Sequence, residues 1–305
     1  MKVLDQPLRG IVVPLVTPLK SANELDEGGL ERLIEHVLAG GVSALFVLGT
    51  TGEGTSLSGS LRRRVIERTA EQLAGRAPLL TGITDTAFSE TLDLACFAAN
   101  HGAHGVVYAG PAYSPVSQPE LIANVARVAE SSPLPLFLYN MPSHTHTFFE
   151  LETVIRLAEL PGVVGLKDSS GNLIYFERAS IEMEKRRPDF SLLMGPEEIL
   201  AAALLGGAHG GVNGGANLFP ELYVQLYEAC RAGDWAAAAR LNRSVLQISA
   251  GIYASNSYAS SYLRGLKCAL SLAGICSEAM AEPYGPLEAA ERERIAEFLA
   301  VAELK

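Results

Sequence analysis

The sequence predicts an α/β protein, a closed (β/α)8 TIM barrel followed by a C-terminal extension of three helices. Short apolar runs typical of buried strands alternate with segments whose apolar residues recur at helical spacing. Eight such runs are present, and eight parallel strands close a barrel of this kind. After about Phe219 the strand pattern stops and only helical patterns continue.

The predicted strands are evenly spaced, and helical patterns lie between them. In chain order the strands are GIVVPLVTP, ALFVLGT, PLLTGIT, GVVYAGP, PLFLYNMP, VVGLKDSS, SLLMGP and GGVNGGAN. This alternation predicts parallel pairing with right-handed crossovers. A doubly wound sheet is the alternative, and the even spacing and the lack of a GxGxxG motif after the first strand disfavour it.

The region after the last strand is predicted to hold three helices, at roughly residues 220–250, 258–273 and 286–301. We therefore expect a catalytic barrel over residues 1–219 and a helical extension over residues 220–305. No low-complexity linker separates the two parts.

Composition restricts the possible partners and compartment. The 305 residues are 48% hydrophobic and 19% charged, which is typical of a globular protein with a large core. A formal net charge of −10 argues against binding to nucleic acid or to an anionic membrane. Four cysteines without a CxxC pair predict buried thiols, and the first strand does not resemble a signal peptide, so we expect a cytoplasmic protein.

A barrel of this kind carries its active site in the loops at the carboxyl ends of the strands. Functional side chains are therefore expected at those ends. The residues there are Thr17, Gly49, Thr50, Thr51, Tyr108, Tyr113, Tyr139, Asn140, Lys167, Gly195 and Asn213.

Lys167 is the strongest catalytic candidate among the six lysines of the chain, because only Lys167 closes an apolar strand. Apolar surroundings favour the neutral form of a lysine, and a neutral amine can attack a carbonyl carbon to form an imine. The alternative is an ordinary lysine at a strand end, paired with Asp168.

Two further strand ends fit the same chemistry. Tyr139 carries a hydroxyl that can both donate and accept a proton beside an imine. Thr50 and Thr51, in GTTGE, offer hydroxyls and main-chain amides that can hold a carboxylate. The alternatives are a core tyrosine with its hydroxyl at the rim and a glycine-bounded turn with a capping threonine.

Phosphate and metal sites have less support. GGVNGGAN contains no lysine or Walker pattern, so its glycines are better explained by close approach of a ligand to the backbone. His144 and His146 could supply two metal ligands, but no third ligand has convincing spacing. We expect neither a metal nor an organic cofactor.

The motifs VVPLVTPL, GTTGE, GPAYSP, YNMP, GLKDSSG and GGVNGGAN together cover nearly the whole chain. In this order the chain resembles the pyruvate-dependent Schiff-base lyases of the dihydrodipicolinate synthase and N-acetylneuraminate lyase family. The resemblance implies that Lys167 forms the imine and that Tyr139 is the catalytic tyrosine. It also implies that Thr50 links Tyr139 to Tyr113.

The resemblance extends to substrate and assembly. Thr50 and Thr51 match the residues that hold the carboxylate of the keto acid, and Val212 matches an apolar residue near the imine. Gly49, Asn213 and His144 complete the expected substrate-binding set. In relatives the residue matching Tyr113 reaches into the neighbouring subunit's site, which implies a homodimer, usually within a homotetramer.

Several positions depart from the synthase branch of the family. His144 stands where an arginine binds the carboxylate of the second substrate, and a neutral histidine lacks that charge and bidentate geometry. Ala112 replaces an expected tyrosine, and SGSLRRR replaces the histidines used for lysine feedback. The second-substrate pocket is therefore expected to differ from that of the synthases.

The predicted function is a class I aldolase or lyase acting on pyruvate and an aldehyde or a 2-keto-3-deoxy sugar acid. The protonated imine would be the electron sink. One alternative is 4-hydroxy-tetrahydrodipicolinate synthase, which condenses pyruvate with aspartate semialdehyde, and another is a sugar-acid dehydratase that uses the same imine. A non-catalytic keto-acid-binding barrel is a fourth possibility, disfavoured because a binding protein has no need of Lys167, Tyr139, Thr50 and Tyr113 together.

Overall fold

A computed structural model describes residues 4–253 and 259–301. Eight parallel strands pair in sequence and close into a barrel, because the last strand pairs with the first. They are β1 (Gly10–Pro14), β4 (Ala44–Val47), β5 (Leu79–Gly82), β6 (Gly105–Tyr108), β7 (Leu136–Asn140), β8 (Val163–Asp168), β9 (Ser191–Met194) and β10 (Gly210–Val212). The predicted TIM barrel is confirmed. A two-stranded hairpin that was not predicted, β2 (Leu19–Ser21) and β3 (Glu24–Leu25), follows β1.

Helices lie between successive barrel strands. They are α1 (Glu27–Ala39), α2 (Gly59–Leu73), α3 (Phe88–Asn100), α4 (Gln118–Ser131), α5 (Pro142–Thr145), α6 (Leu151–Ala158), α7 (Leu173–Arg186) and α8 (Leu200–Leu205). In α1, Asp26 caps the first turn by accepting from the main-chain N–H of Gly29 at 3.0 Å. Leu30, Leu33 and Ile34 are buried on one face of this helix, as their spacing predicts.

Two apolar clusters support the barrel. The inner cluster fills the barrel and includes Val12, Phe46, Phe137 and Val212. The outer cluster packs the strands against the surrounding helices. Strand residues are buried on both faces, which explains why the strands appear in the sequence as continuous apolar runs.

The predicted helix over residues 220–250 is instead two helices, α9 (Pro220–Ala232) and α10 (Trp235–Ile248). Gly233, with φ of 72°, ends α9, and Asp234 caps α10 by accepting from the N–H of Ala237. Because α9 follows β10 and packs against β1, it continues the strand–helix alternation. The division into domains at residues 219 and 220 stays a prediction.

After α10 comes a π-helical turn, Ser249–Tyr253, and then α11 (Ser261–Leu272) and α12 (Ala289–Val301). Tyr258, the predicted start of the second extension helix, lies outside the described residues. Three helices, α10 to α12, therefore extend beyond the barrel alternation.

Three of the four cysteines are buried, as expected. Cys96 is exposed, so for this residue the expectation was wrong. In residues 4–253 and 259–301, no helix is both long and apolar enough to span a membrane.

Candidate active site

An extra residue in β8 determines which way Lys167 points. Leu136 of β7 pairs with Val163, but Phe137 pairs with Gly165, so Val164 is additional and forms a bulge. Val164 packs in the inner cluster and Leu166 in the outer one. Side chains then alternate, which leaves Lys167 facing the barrel interior.

Gly165 makes room for this arrangement. A Cβ atom at Gly165 would lie 2.6 Å from the ring of Phe137 and 2.9 Å from Ser191, which is closer than real Cβ atoms approach. Phe137 belongs to the inner cluster beneath the site. The glycine in GLK is therefore explained by packing.

Lys167 is 5% exposed and lies against two aromatic rings. Its Nζ is 4.0 Å from the ring centroid of Tyr139 and 4.9 Å from that of Phe46. Both distances are within the range of a cation–π contact. The amine is thus held at the wall of the barrel by ring faces.

Asp168 does not pair with Lys167, so the alternative explanation of this lysine is wrong. The next residue along a strand points to the opposite face. Asp168 accepts hydrogen bonds from the side chains of Asn140 at 2.8 Å and Ser170 at 3.0 Å. Burial raises the pKa of Asp168 to about 6, and these hydrogen bonds act against the increase.

Tyr139 is the register partner of Lys167 on the neighbouring strand. Its hydroxyl lies 3.1 Å from Oγ1 of Thr50, which is hydrogen-bonding distance. The expected link between Tyr139 and Thr50 is therefore present, and it runs from the lysine to the loop that follows β4.

The loop of residues 48–54, which carries Thr50 and Thr51, is tightly folded. The main-chain N–H of Gly54 donates to the carbonyl of Gly49 at 3.2 Å, and a Cβ at Gly49 would lie 2.6 Å from the ring of Phe46. Among the described residues, none accepts a hydrogen bond from the N–H groups of Thr50 and Thr51. These two donors can therefore bind a carboxylate.

A cavity of about 700 Å³ opens at the carboxyl ends of the strands. It is lined by most of the predicted site residues: Gly49, Thr50, Thr51, Tyr113, Tyr139, His144, Lys167, Gly195 and Val212. This volume is large enough for a small acid substrate with an extended chain.

Four predicted strand-end residues are not brought to the cavity. Asn213 is fully buried, and its side chain donates to the carbonyls of Met194 and Gly195 at 3.3 and 3.1 Å, so it supports the loop after β9. Tyr108 points away from the barrel and donates to Asn124. Thr17 donates to the carbonyl of Gly52, and Asn140 accepts from the N–H of Phe149.

Tyr113 lies at the rim and is 88% exposed. In this chain its hydroxyl has no hydrogen bond to Thr50 among the described contacts. The chain alone therefore joins Lys167, Tyr139 and Thr50 but not the second tyrosine of the expected relay.

His144 lines the mouth of the cavity, and Ser143 Oγ lies 3.1 Å from its Nδ1. Although the residue as a whole is exposed, partial desolvation, together with electrostatic repulsion from His146 and Lys167, lowers the pKa of His144. The ring is therefore mainly neutral at pH 7.

Several lining residues were missed by the sequence analysis. Tyr253, Tyr262 and Tyr284 belong to the C-terminal extension and line the same cavity. The Tyr262 hydroxyl is 3.0 Å from Oγ1 of Thr51. No local pattern marks these tyrosines, because they reach the site only through folding of the extension.

Glu197 was also missed, although it lies three residues after the end of β9 and could have been found as an acid in a strand-end loop. It is buried, and its carboxylate accepts hydrogen bonds from Tyr223, Tyr253 and the N–H of Gly215. Burial raises the pKa of Glu197 to about 7.

The model of the dihydrodipicolinate synthetase family matches residues 7–302. A curated relative, a 4-hydroxy-tetrahydrodipicolinate synthase of Phenylobacterium zucineum, is 31% identical over 96% of this chain and 97% of its own length.

Two solved structures are also similar. A dihydrodipicolinate synthase of Bacteroides thetaiotaomicron has a TM-score of 0.94 and 54% identity over 97% of this chain and 99% of that one. A prophage protein of the dihydrodipicolinic acid synthase family from E. coli, in complex with pyruvate, has a TM-score of 0.92 and 29% identity over 98% of this chain and all of that one.

Proposed function

The chain belongs to the dihydrodipicolinate synthetase family and is a lyase, and we propose that it works as a class I enzyme in which Lys167 forms an imine with pyruvate. One observation carries this proposal. A buried lysine amine lies against the ring of Tyr139, whose hydroxyl is bonded to Thr50, at the wall of the cavity. The same cavity offers Thr50 and Thr51 for the carboxylate of the keto acid.

The reaction follows from these positions. The neutral amine of Lys167 attacks C2 of the keto acid, and loss of water leaves the protonated imine. In the cleavage direction the bond between C3 and C4 breaks, its electron pair moves into the imine, and the C4 hydroxyl loses its proton, giving an enamine and a free aldehyde. Protonation of the enamine at C3 and addition of water release pyruvate and regenerate the amine.

Tyr139 is proposed to move the protons of these steps. Its ring lies against the amine and its hydroxyl shares a hydrogen bond with Thr50, so the hydroxyl can donate a proton to one partner while accepting one from the other. Val212 lines the cavity as an apolar wall, consistent with the role that the family resemblance implies.

We further propose a homodimer in which Tyr113 of one protomer completes the site of the partner. Its 88% exposure at the cavity rim, without a bond to its own Thr50, supports this arrangement. Mixing inactive Lys167→Met protein with impaired Tyr113→Phe protein tests it. If Tyr113 acts across the interface, mixed dimers contain one intact site and activity returns; if it acts within its own chain, mixing restores nothing.

The second candidate activity is that of 4-hydroxy-tetrahydrodipicolinate synthase, which the name of the Phenylobacterium relative favours. It requires recognition of a second carboxylate, that of aspartate semialdehyde. His144 offers no permanent charge there, and Arg62, which also lines the cavity, is paired with Asp85 at 2.7 Å. These observations favour a second substrate without a negative charge.

A substrate panel separates the candidates. Release of pyruvate from 2-keto-3-deoxy sugar acids is measured beside condensation of pyruvate with aspartate semialdehyde. We expect a kcat/KM for cleavage well above that for condensation. The reverse order would assign the synthase activity, and loss of water from a sugar acid without release of pyruvate would assign a dehydratase.

A further inference from the structure

The loop of residues 48–54 is held in a strained backbone conformation. Leu48 and Glu53, near its two ends, have φ of 61° and 55°, a left-handed region that residues with side chains rarely adopt. Such a conformation persists where surrounding contacts over-determine it. One of those contacts comes from the barrel, where Thr17 Oγ1 donates to the carbonyl of Gly52 at 2.7 Å.

The side chain of Glu53 leads from this loop to the C-terminal extension. It forms an ion pair with Lys267 of α11, and neither side chain is exposed to solvent. The second carboxylate oxygen of Glu53 accepts from the N–H of Ala281 at 2.8 Å. Lys267 Nζ also donates to the carbonyl of Ala279 at 2.7 Å. The pair thus joins three segments: the loop, α11 and residues 279–281.

The same helix reaches the loop at a second point, where the hydroxyl of Tyr262 lies 3.0 Å from Oγ1 of Thr51. Residues 275–281 are themselves fixed to the barrel. Arg32 donates to the carbonyl of Ile275 at 2.9 Å, and Ser277 donates to the carbonyl of Leu19. Because the extension is hydrogen-bonded to the barrel as well as to the loop, it can hold the loop in one position.

A buried ion pair is an expensive way to stabilise a fold, because both charges lose their water. Burial lowers the pKa of Lys267, and the carboxylate of Glu53 acts against this change. Apolar residues of similar volume can give equal or better stability at such sites. An ion pair adds a defined geometry. Here it fixes the position of Glu53, in the loop that carries Thr50 and Thr51.

We propose that Lys267 and Glu53 are positioning residues for the keto acid, acting through the loop that carries Thr50 and Thr51. This inference rests on the proposed function, because it takes the carboxylate of pyruvate as the ligand of that loop. Lys267 itself does not line the cavity. Its effect on pyruvate passes through Glu53.

A double-mutant cycle tests the proposal with Glu53→Gln, Lys267→Met and the double variant, assayed with pyruvate. We expect each single variant to raise the KM for pyruvate roughly tenfold, with a smaller change in kcat. The KM for pyruvate of the double variant should be no higher than that of the more impaired single variant, because both substitutions remove the same interaction. Stability is measured on the same samples by urea unfolding.

Arg292→Met is the matched control. Arg292 of α12 pairs with Glu278, in the same part of the extension, but neither residue contacts the loop in the described structure. We expect this variant to lower stability and to leave the KM for pyruvate unchanged. If Glu53→Gln and Lys267→Met behave in the same way, the pair is only structural and the proposal is overturned.

Amide hydrogen exchange of the unmodified protein tests the proposal even if the variants do not fold. Pyruvate should slow amide hydrogen exchange in peptides covering both residues 49–57 and residues 276–283, and slowing in the first region alone contradicts the proposal. Failure of the proposed function looks different, because the unmodified protein would then form no borohydride-trapped pyruvate adduct.

Discussion

Lys167 and Tyr139 are register partners on adjacent parallel strands, and Nζ of the lysine lies 4.0 Å from the centroid of the tyrosine ring. The bulge at Val164 makes this contact possible, because it sets the alternation of side chains that turns Lys167 into the barrel. The proposed catalytic pair lies on two adjacent strands, so the sheet itself fixes its geometry. Its geometry therefore depends little on the mobility of the surrounding loops.

Tyr139→Phe keeps the ring beside Lys167 and removes the hydroxyl that bonds to Thr50. We expect kcat to fall by about a hundredfold or more, because a positioned proton donor and acceptor is lost. Steady-state kinetics with pyruvate and the best aldehyde or sugar acid measure the effect.

Tyr108→Phe is the control for that experiment. Tyr108 ends β6, but its hydroxyl donates to Asn124 outside the barrel and does not line the cavity. Its kcat should stay within about twofold of the unmodified value. Equal effects of the two substitutions would rule out the role given to Tyr139.

His144→Arg tests whether the missing positive charge at position 144 limits the binding of aspartate semialdehyde. The lowered pKa of His144 leaves the ring neutral at pH 7, so a positive charge develops there only as the pH falls below about 6.5. Arginine supplies that charge permanently. The KM for aspartate semialdehyde should fall by about tenfold or more, while the KM for pyruvate changes little.

His144→Gln is the neutral comparison for the arginine variant and should leave both KM values near those of the unmodified enzyme. If His144→Arg does not improve the use of aspartate semialdehyde, the missing charge at this position does not explain the proposed preference for an uncharged second substrate.

The barrel could be predicted because strand and helix periodicities are local. The position of Lys167, Tyr139 and Thr50 at the cavity could also be predicted, since strand ends converge on one face of a barrel. Their catalytic roles stay a prediction. Asn213 was misplaced because the strand pattern cannot tell which face a residue at the end of a strand takes. Tyr262 and Lys267 were missed because their contacts with Thr51 and Glu53 join segments more than 200 residues apart.

Glu197 should make stability depend on pH. Its pKa is about 7 in the folded protein against an ordinary 4.5, so the folded state binds the proton more tightly than the unfolded state. This contribution is complete below about pH 4.5 and is lost as the pH rises through about 7, with a magnitude on the order of 3 kcal/mol. Glu197→Gln stays neutral, so its stability relative to the unmodified protein should increase from pH 5 to pH 8.

Urea unfolding of both proteins at several pH values measures this difference. Glu198→Gln is the comparison variant, because Glu198 is the next residue and its charge is a smaller cause of the raised pKa of Glu197 than burial is. It should keep most of the pH slope of the unmodified protein, whereas Glu197→Gln should remove it. A stability difference between Glu197→Gln and the unmodified protein that stays constant with pH contradicts the prediction.

The most direct test is to incubate the protein with pyruvate and borohydride and to map the modified residue by mass spectrometry. The account predicts one reduced pyruvyl adduct on Lys167, absent from Lys167→Met and unaffected by Lys20→Met, which changes an exposed lysine. An unmodified Lys167 in a protein that still binds pyruvate, or an adduct on another lysine, would contradict it.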